Sequence, residues 1–189
     1  MDDRVKRMIK PIIIAAVLIM VLCRTILRPA TLEDKLSCVG YAISGVTILF
    51  VLYERFLWRY IPWNRPPLLK KKYNGTIWYT YKNQAATKPI EITVKQSWLS
   101  VAIKTKTDIN SSSSITGSIV SEFGEDVMYY NYITTPSAAT QGKNPIQHGT
   151  CRMLLEGDNT VIKGKYWTSS KTIGDIEWRA ETNKKIVVC

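Results

Sequence analysis

Hydroxyl and aromatic side chains recur at every second position in three stretches of the C-terminal half of the chain. Alternate residues of a β-strand lie on one face of the sheet, so each row presents its side chains to one side. Such groups hydrogen-bond to a phosphate and stack on a nucleobase, which is the chemistry of binding. A row of this kind in an exposed sheet instead faces solvent, and parity alone leaves both interpretations open. The rows are Tyr166, Thr168, Ser170 and Thr172; Tyr130 and Tyr132; and Ser112, Ser114 and Thr116.

Residues that would carry out catalysis are sparse. His148 is the only histidine of the chain. The sequence contains no carboxylate pair, nucleophile elbow, Walker loop, HExxH motif or Cys/His spacing typical of a metal site. We therefore predict a protein that is not an enzyme and that holds no metal or cofactor.

The rows must be positioned by strands. After Tyr73 the chain is rich in β-branched and aromatic residues separated by turn signals, which predicts an all-β domain. Apolar parity switches within segment 90–103, which predicts a tight turn near 96–98. Trp78 and Trp178 share strand faces with small or apolar neighbours, so we expect both to pack inside. The predicted strands are 75–82, 89–96, 99–107, 112–121, 126–134, 147–156, 159–169 and 174–181.

Eight sequential strands with short connections predict an eight-stranded antiparallel up-and-down barrel, whose closure removes sheet edges. A β-sandwich is the alternative. A barrel of this size holds packed side chains or one small ligand.

Two apolar stretches precede the β domain, at 8–27 and 36–57. Each is long enough to cross a bilayer as a helix. The first lacks the small-residue cleavage site of a signal peptide, so we predict two spans. The predicted organisation is a transmembrane helical hairpin over 1–63, a basic linker over 64–72 and a β domain over 73–189.

The basic residues favour one orientation. The net charge is +11, with 13 basic and 5 acidic residues up to residue 72 and 13 and 10 beyond it. The excess therefore lies at the membrane, where it acts as topology signal and contacts anionic lipid. We expect both termini and the β domain to be cytoplasmic, and we expect no DNA or RNA partner.

The second apolar stretch contains Gly40 and Ser44 four residues apart, with Gly45 adjacent. Small residues at this spacing allow close approach of helices within a membrane. The motif permits self-association of the spans.

Several of these features together resemble a family of bacterial antiphage effectors from cyclic-oligonucleotide signalling operons, in which two transmembrane helices are coupled to a β-strand-rich domain. The resemblance covers nearly the whole chain and is most specific between His148 and Gly174. It rests on the two-span start, the cluster Ser111–Ser114, Tyr130-x-Tyr132, His148-Gly149-Thr150 and Tyr166-Trp167-Thr168 with Thr172-x-Gly174.

The resemblance implies a lipocalin-like barrel that binds a cyclic dinucleotide made by a partner nucleotidyltransferase after infection. Binding then promotes homo-oligomerisation, and the assembled helices disrupt the inner membrane and kill the infected cell. The residues expected to meet the nucleotide are Ser112, Ser114, Tyr130, Tyr132, His148, Tyr166, Thr168, Ser170, Lys171 and Thr172.

Ser170 is a departure from the family pattern, which commonly has an arginine there. Lys171 follows it, but in a regular strand Lys171 points to the opposite face. If the arginine meets phosphate, this chain must use another cation, a bulge that redirects Lys171, or a different nucleotide.

Two other classes of function fit the same sequence. A membrane-tethered lipid or small-metabolite binding protein would keep the barrel and use the helices only as an anchor. A structural scaffold would use the β domain to dock a partner protein.

Overall fold

A computed structural model of the protein describes residues 3–61, 65–81, 84–108, 110–136 and 145–181. Within these residues, α1 (Asp3–Leu27), α2 (Leu32–Arg55) and a 3-10 turn (Leu57–Arg59) are followed by eight strands. The strands are β1 (Lys72–Tyr81), β2 (Gln84–Gln96), β3 (Val101–Lys106), β4 (Asn110–Glu122), β5 (Glu125–Pro136), β6 (Gln147–Leu155), β7 (Val161–Thr168) and β8 (Ile173–Ala180). The chain divides into two compact units, Met1–Arg65 and Pro66–Cys189.

The first unit is the pair of helices α1 and α2. Both are long and apolar enough to cross a membrane, judged by length and composition. α2 begins at a capping box, in which the Thr31 hydroxyl accepts from the Asp34 amide and the Asp34 carboxylate accepts from the Thr31 amide, both at 3.1 Å. This reciprocal pair satisfies two amides that helix geometry leaves without partners.

The second unit is a closed barrel in which each strand pairs antiparallel with its neighbours in sequence. β8 closes the barrel on β1, with Ile176 opposite Ile77. The predicted up-and-down barrel is confirmed, and the sandwich alternative is wrong. The predicted turn at 96–98 is also confirmed, since β2 ends at Gln96 and β3 begins at Val101.

One end of the barrel is filled by apolar side chains. Tyr73 and Trp178 pack there with ring centroids 5.7 Å apart, and both are buried. The Tyr73 hydroxyl donates to the Asn159 carbonyl and accepts from the Lys70 amide, both at 2.9 Å. These bonds tie the incoming chain and the β6–β7 turn to the core, so this end, which we call the closed end, is sealed.

The two tryptophans expected inside differ in position. Trp178 is fully buried, as predicted, whereas the prediction for Trp78 is wrong, since its side chain is 40% exposed. On β1 the inward positions are those of Tyr73 and Ile77. Trp78 has the opposite parity and lies on the outer surface.

The other end of the barrel is where β1–β2, β3–β4, β5–β6 and β7–β8 are connected. We call it the mouth. Because the chain reaches β1 at the closed end, segment 66–71 lies at the opposite end of the barrel from the mouth.

Candidate functional site

A cavity of about 720 Å³ occupies the half of the barrel next to the mouth. Its volume is within the range of about 300–1,000 Å³ typical of small-molecule sites. Every strand contributes to its wall. The core of the closed end forms its floor, because the Tyr130 ring in the wall lies 6.0 Å from the Trp178 ring.

The barrel brings together nine of the ten residues predicted to meet the nucleotide. These nine line the cavity: Ser112, Ser114, Tyr130, Tyr132, Tyr166, Thr168, Ser170, Lys171 and Thr172. His148 is not brought together with them, because the inward positions of β6 are those of Gln147 and Cys151, and His148 is exposed on the outside. Thr116, the last member of its row, is also outside, since a bulge between Ser114 and Thr116 shifts the strand register.

Three tyrosine rings shape the inner wall. The Tyr130 and Tyr132 rings lie 5.9 Å apart and are tilted by 46°. Tyr132 lies across Gly149 of the neighbouring strand, and a Cβ at position 149 would overlap its ring. Tyr166 lies across Gly174, where an added Cβ would overlap both the Trp78 carbonyl oxygen and the Tyr166 ring. Glycine at both positions thus creates the space that the rings occupy.

Burial favours the neutral forms of the titratable groups of the inner wall. It raises the pKa of Tyr130, Tyr132 and Tyr166 above the ordinary value of 10.0. Burial also raises the pKa of the Cys151 thiol to about 12, against a smaller opposing effect of its hydrogen bond with Tyr130. All four groups keep their protons at neutral pH even with ordinary pKa values, and burial widens this margin because low-dielectric surroundings disfavour the charged form. They offer hydrogen-bond donors and no negative charge.

Hydroxyl groups line the wall closer to the mouth. Ser112 and Thr134 are hydrogen-bonded to each other at 2.8 Å. Ser114 accepts from the Ile103 amide at 2.9 Å, and Thr168 accepts from the Thr172 amide at 3.3 Å. Ser114 and Thr168 use an acceptor lone pair in these bonds, so each retains its own proton to donate.

Two lysines give the cavity a positive potential. Lys88 lies half-buried on β2, and Lys171 lies in the β7–β8 turn at the mouth. No aspartate or glutamate is among the described residues that line the cavity. The cavity therefore attracts anions, and its hydroxyls supply neutral donors around the same space.

Lys171 reaches the cavity because the β7–β8 turn redirects it. Its φ is +61°, in the left-handed region. From the sequence, a bulge that turns Lys171 inward is one of three possibilities. The β7–β8 turn brings Lys171 to the cavity in this way.

Sequence parity missed several lining residues. Lys88 continues the inward alternation of Ile90, Ile92 and Val94, and Tyr79 continues that of Ile77, so strand periodicity would have found both. Asn110 and Gln147 stand at the starts of β4 and β6. The predicted strand begins at 112 and leaves Asn110 out, whereas Gln147 is the first residue of its predicted strand and shares the inward parity of Cys151.

The small residues of α2 lie on two sides of the helix. A Cβ at Gly45 would lie 3.1 Å from Ile19 of α1, so Gly45 belongs to the contact between the two helices. Apart from its chain neighbours and the backbone of its own helix, no atom of the described residues lies within 4 Å of the Cβ position of Gly40, and Ser44 is exposed. Gly40 and Ser44 thus form a small-residue face that α1 does not cover.

Comparison with known proteins agrees with this geometry. Residues 65–180, the span of the barrel, match the family described as Cap15, cyclic dinucleotide receptor domain. The chain is also similar to CD-NTase-associated protein 15 of Staphylococcus schleiferi, at 33% identity over 184 residues, which is 93% of this chain and 97% of that protein. The chain therefore belongs to the Cap15 cyclic dinucleotide receptor family.

Proposed function

We propose that this protein is a non-catalytic effector of antiphage defence that binds a cyclic dinucleotide in its barrel cavity and then disrupts the inner membrane. The observation that carries the proposal is the cavity itself. It is open at one end, lined by hydroxyls, tyrosine rings and two lysines, and free of carboxylates among its described lining residues. The family match makes a cyclic dinucleotide the ligand of choice.

The cavity lining fits the two chemical parts of such a ligand. A cyclic dinucleotide carries two phosphates and two bases. Lys88 and Lys171 supply one cation for each phosphate, and the serine and threonine hydroxyls add neutral donors. Tyr132 and Tyr166 offer ring surfaces for the bases. In this proposal Lys171 performs the role that the family gives to an arginine at the position of Ser170.

In the proposed mechanism the helices disrupt the membrane. A ligand shifts an equilibrium only through a difference in its affinity for the two states. The bound barrel must therefore self-associate more strongly than the empty one. The uncovered face of Gly40 and Ser44 allows α2 of one copy to approach another closely within the bilayer.

The remaining parts of the proposal concern the cell. We place both termini and the barrel in the cytoplasm, where a partner nucleotidyltransferase would supply the nucleotide. A tethered lipid carrier is disfavoured, because a lipid chain would have to be buried against the hydroxyls and lysines of the mouth.

The experiment uses the full-length protein in liposomes that enclose a self-quenching dye. Cyclic di-AMP, cyclic di-GMP and cyclic UMP–AMP are added one at a time, and binding and dye release are both measured. We expect one of them to bind and to release dye. If a nucleotide binds but releases no dye, the protein is a receptor and the proposed membrane disruption is contradicted. If no nucleotide binds, the proposed ligand is contradicted.

A further inference from the structure

Phe123 occupies an unusual position at the tip of the β4–β5 hairpin. It is fully exposed and has φ +51°, and the next residue, Gly124, has φ +88°. A two-residue turn with both φ values positive favours Asn-Gly, and a bulky aromatic side chain there is an outlier. Phe123 thus gains no burial within the barrel from a position that disfavours it, which points to a contact outside the fold.

Acidic residues flank Phe123 in the chain. Glu122, Glu125 and Asp126 flank the turn, and we call segment 122–126 the acidic tip. The negative charge disfavours insertion into an anionic lipid surface. It favours a partner that combines an aromatic slot with positive charge.

The outer face of the same barrel contains a surface of that kind. A groove of about 480 Å³ crosses β6, β7, β8 and β1, and we call it the tryptophan groove. Trp78 and Trp167 line it at 40% and 42% exposure. Tryptophan and arginine are among the residues that are enriched at the energetic centres of protein interfaces.

The charge of the tryptophan groove complements the acidic tip. Lys163 and Lys165 line it against the carboxylates of Asp175 and Glu177. Arg152 also lines it, but its guanidinium is paired with Glu122 of the same copy at 3.2 Å. Glu177 is already engaged by Arg179 at 2.7 Å and by Lys163 at 3.7 Å. Lys163, Lys165 and the adjacent Arg179 thus outnumber the two carboxylates by one, and this positive charge lies beside the two indole rings.

We propose that the acidic tip of one copy of this protein docks in the tryptophan groove of a second copy. Phe123 fills the space between Trp78 and Trp167, and Glu125 meets Lys165. The docking residues of the tip, Phe123 and Glu125, are different from those of the groove, so the contact is heterologous and continues from copy to copy into a ring or a filament. This contact rests on the proposed function in one respect: it is the surface through which copies assemble after the nucleotide binds.

Photocrosslinking tests the contact in the full-length protein. The photoreactive residue p-benzoylphenylalanine replaces Phe123, and ¹⁴N- and ¹⁵N-labelled copies are mixed in liposomes, with and without each nucleotide named above. We expect mixed-label adducts on the peptides that contain Trp78 or Trp167. The same probe at Ile115, which is exposed on β4 outside both surfaces, is the matched control. Adducts to lipid alone, adducts within one copy, or the absence of mixed-label adducts would each overturn the proposal.

Charge reversal provides an independent measurement with its own rescue. Lys165→Glu should lower the yield of mixed-label adducts by about fivefold or more, because it opposes the acidic tip. Glu125→Lys in the same chain should restore the yield, which a misfolded barrel would not do. Failure of that rescue counts against the contact. If mixed-label adducts form but none of the nucleotides binds, the result supports this interface and contradicts the proposed ligand.

Discussion

The Lys171 amide donates a hydrogen bond to the Thr168 carbonyl at 3.0 Å, and this bond turns the chain at the mouth of the barrel. The Thr168 amide in turn donates to the Thr172 carbonyl at 3.0 Å, which closes a three-residue loop. Such loops combine a type I turn with a residue in the left-handed region, here Lys171 with φ +61°. The turn therefore brings to the cavity a cation that a regular strand would direct away from it.

Substitution of Lys171 separates its charge from its backbone conformation. Glycine adopts positive φ without steric cost, so Lys171→Gly should leave the melting temperature unchanged or slightly higher. Loss of the cation should weaken cyclic dinucleotide binding by about ten- to hundredfold, as expected for about 1.5–3 kcal/mol of a charged hydrogen bond. Calorimetric titration and thermal unfolding measure the two effects. An unchanged affinity of Lys171→Gly for the nucleotide would show that Lys171 does not contribute to binding.

Lys88 is the second cation of the cavity and allows a control on its own strand. Lys88→Met keeps the aliphatic length and removes the charge, so binding should weaken about tenfold or more and should become less dependent on salt. Lys95→Met removes a charge from the exposed face of β2 and should leave binding intact. Equal effects of the two substitutions would show that only the overall charge of the barrel matters.

Gly149 provides the space for the Tyr132 ring, and this predicts a non-additive pair of substitutions. Gly149→Ala places a methyl group where the ring lies, so it should lower the free energy of unfolding by about 1–3 kcal/mol. In a Tyr132→Ala background the same change should be much less destabilising, because the overlapping ring is absent. Thermal or chemical unfolding of the four proteins measures this coupling. A cost of Gly149→Ala that is the same in both backgrounds would contradict the overlap.

The barrel and most of the cavity wall could be predicted from sequence because strand periodicity assigns each residue to a face. Ser112, Tyr130, Tyr132 and Tyr166 lie inside for that reason. Periodicity does not assign residues in turns, and the inward position of Lys171 depends on a backbone conformation that lysine rarely adopts.

His148 shows the other limit of sequence reasoning. Its residue type and its place in a family motif predict a contact with the nucleotide, but the parity of β6 directs it outward. The space for the tyrosine rings depends on cross-strand pairs such as Tyr132 with Gly149, which require the register between strands.

The buried thiol of Cys151 predicts how stability depends on pH. Its pKa is raised from an ordinary 9.0 to about 12 because the protonated form is favoured by burial. The folded state thus retains the proton that the unfolded chain loses. The resulting stability is fully present below about pH 9 and is lost as the pH rises from 9 towards 12. The buried tyrosines, whose pKa values are also raised, add to the loss above pH 10.

Thermal unfolding of the full-length protein in detergent tests this dependence. The melting temperature should fall as the pH is raised above 9, and Cys151→Ser should make the fall shallower because serine does not titrate there. A melting temperature whose pH profile is identical in the two proteins would mean that Cys151 does not contribute.

The two glycines of α2 should differ in effect, because only one of them touches α1. Gly45→Ile places a branched side chain against Ile19 and should disturb the helix pair in every copy. The Cβ of Gly40→Ile meets no atom of another element among the described residues of a single copy, so the helix pair should fold normally. Its side chain would instead separate α2 from the helix of a neighbouring copy. We therefore expect Gly40→Ile to retain nucleotide binding and the melting temperature but to lose most nucleotide-triggered dye release from liposomes.

Ile48→Ala, which alters an exposed apolar residue of the same helix, is the control for surface composition. Full dye release by Gly40→Ile would show that copies associate through another face, and the tryptophan groove would then carry the assembly alone.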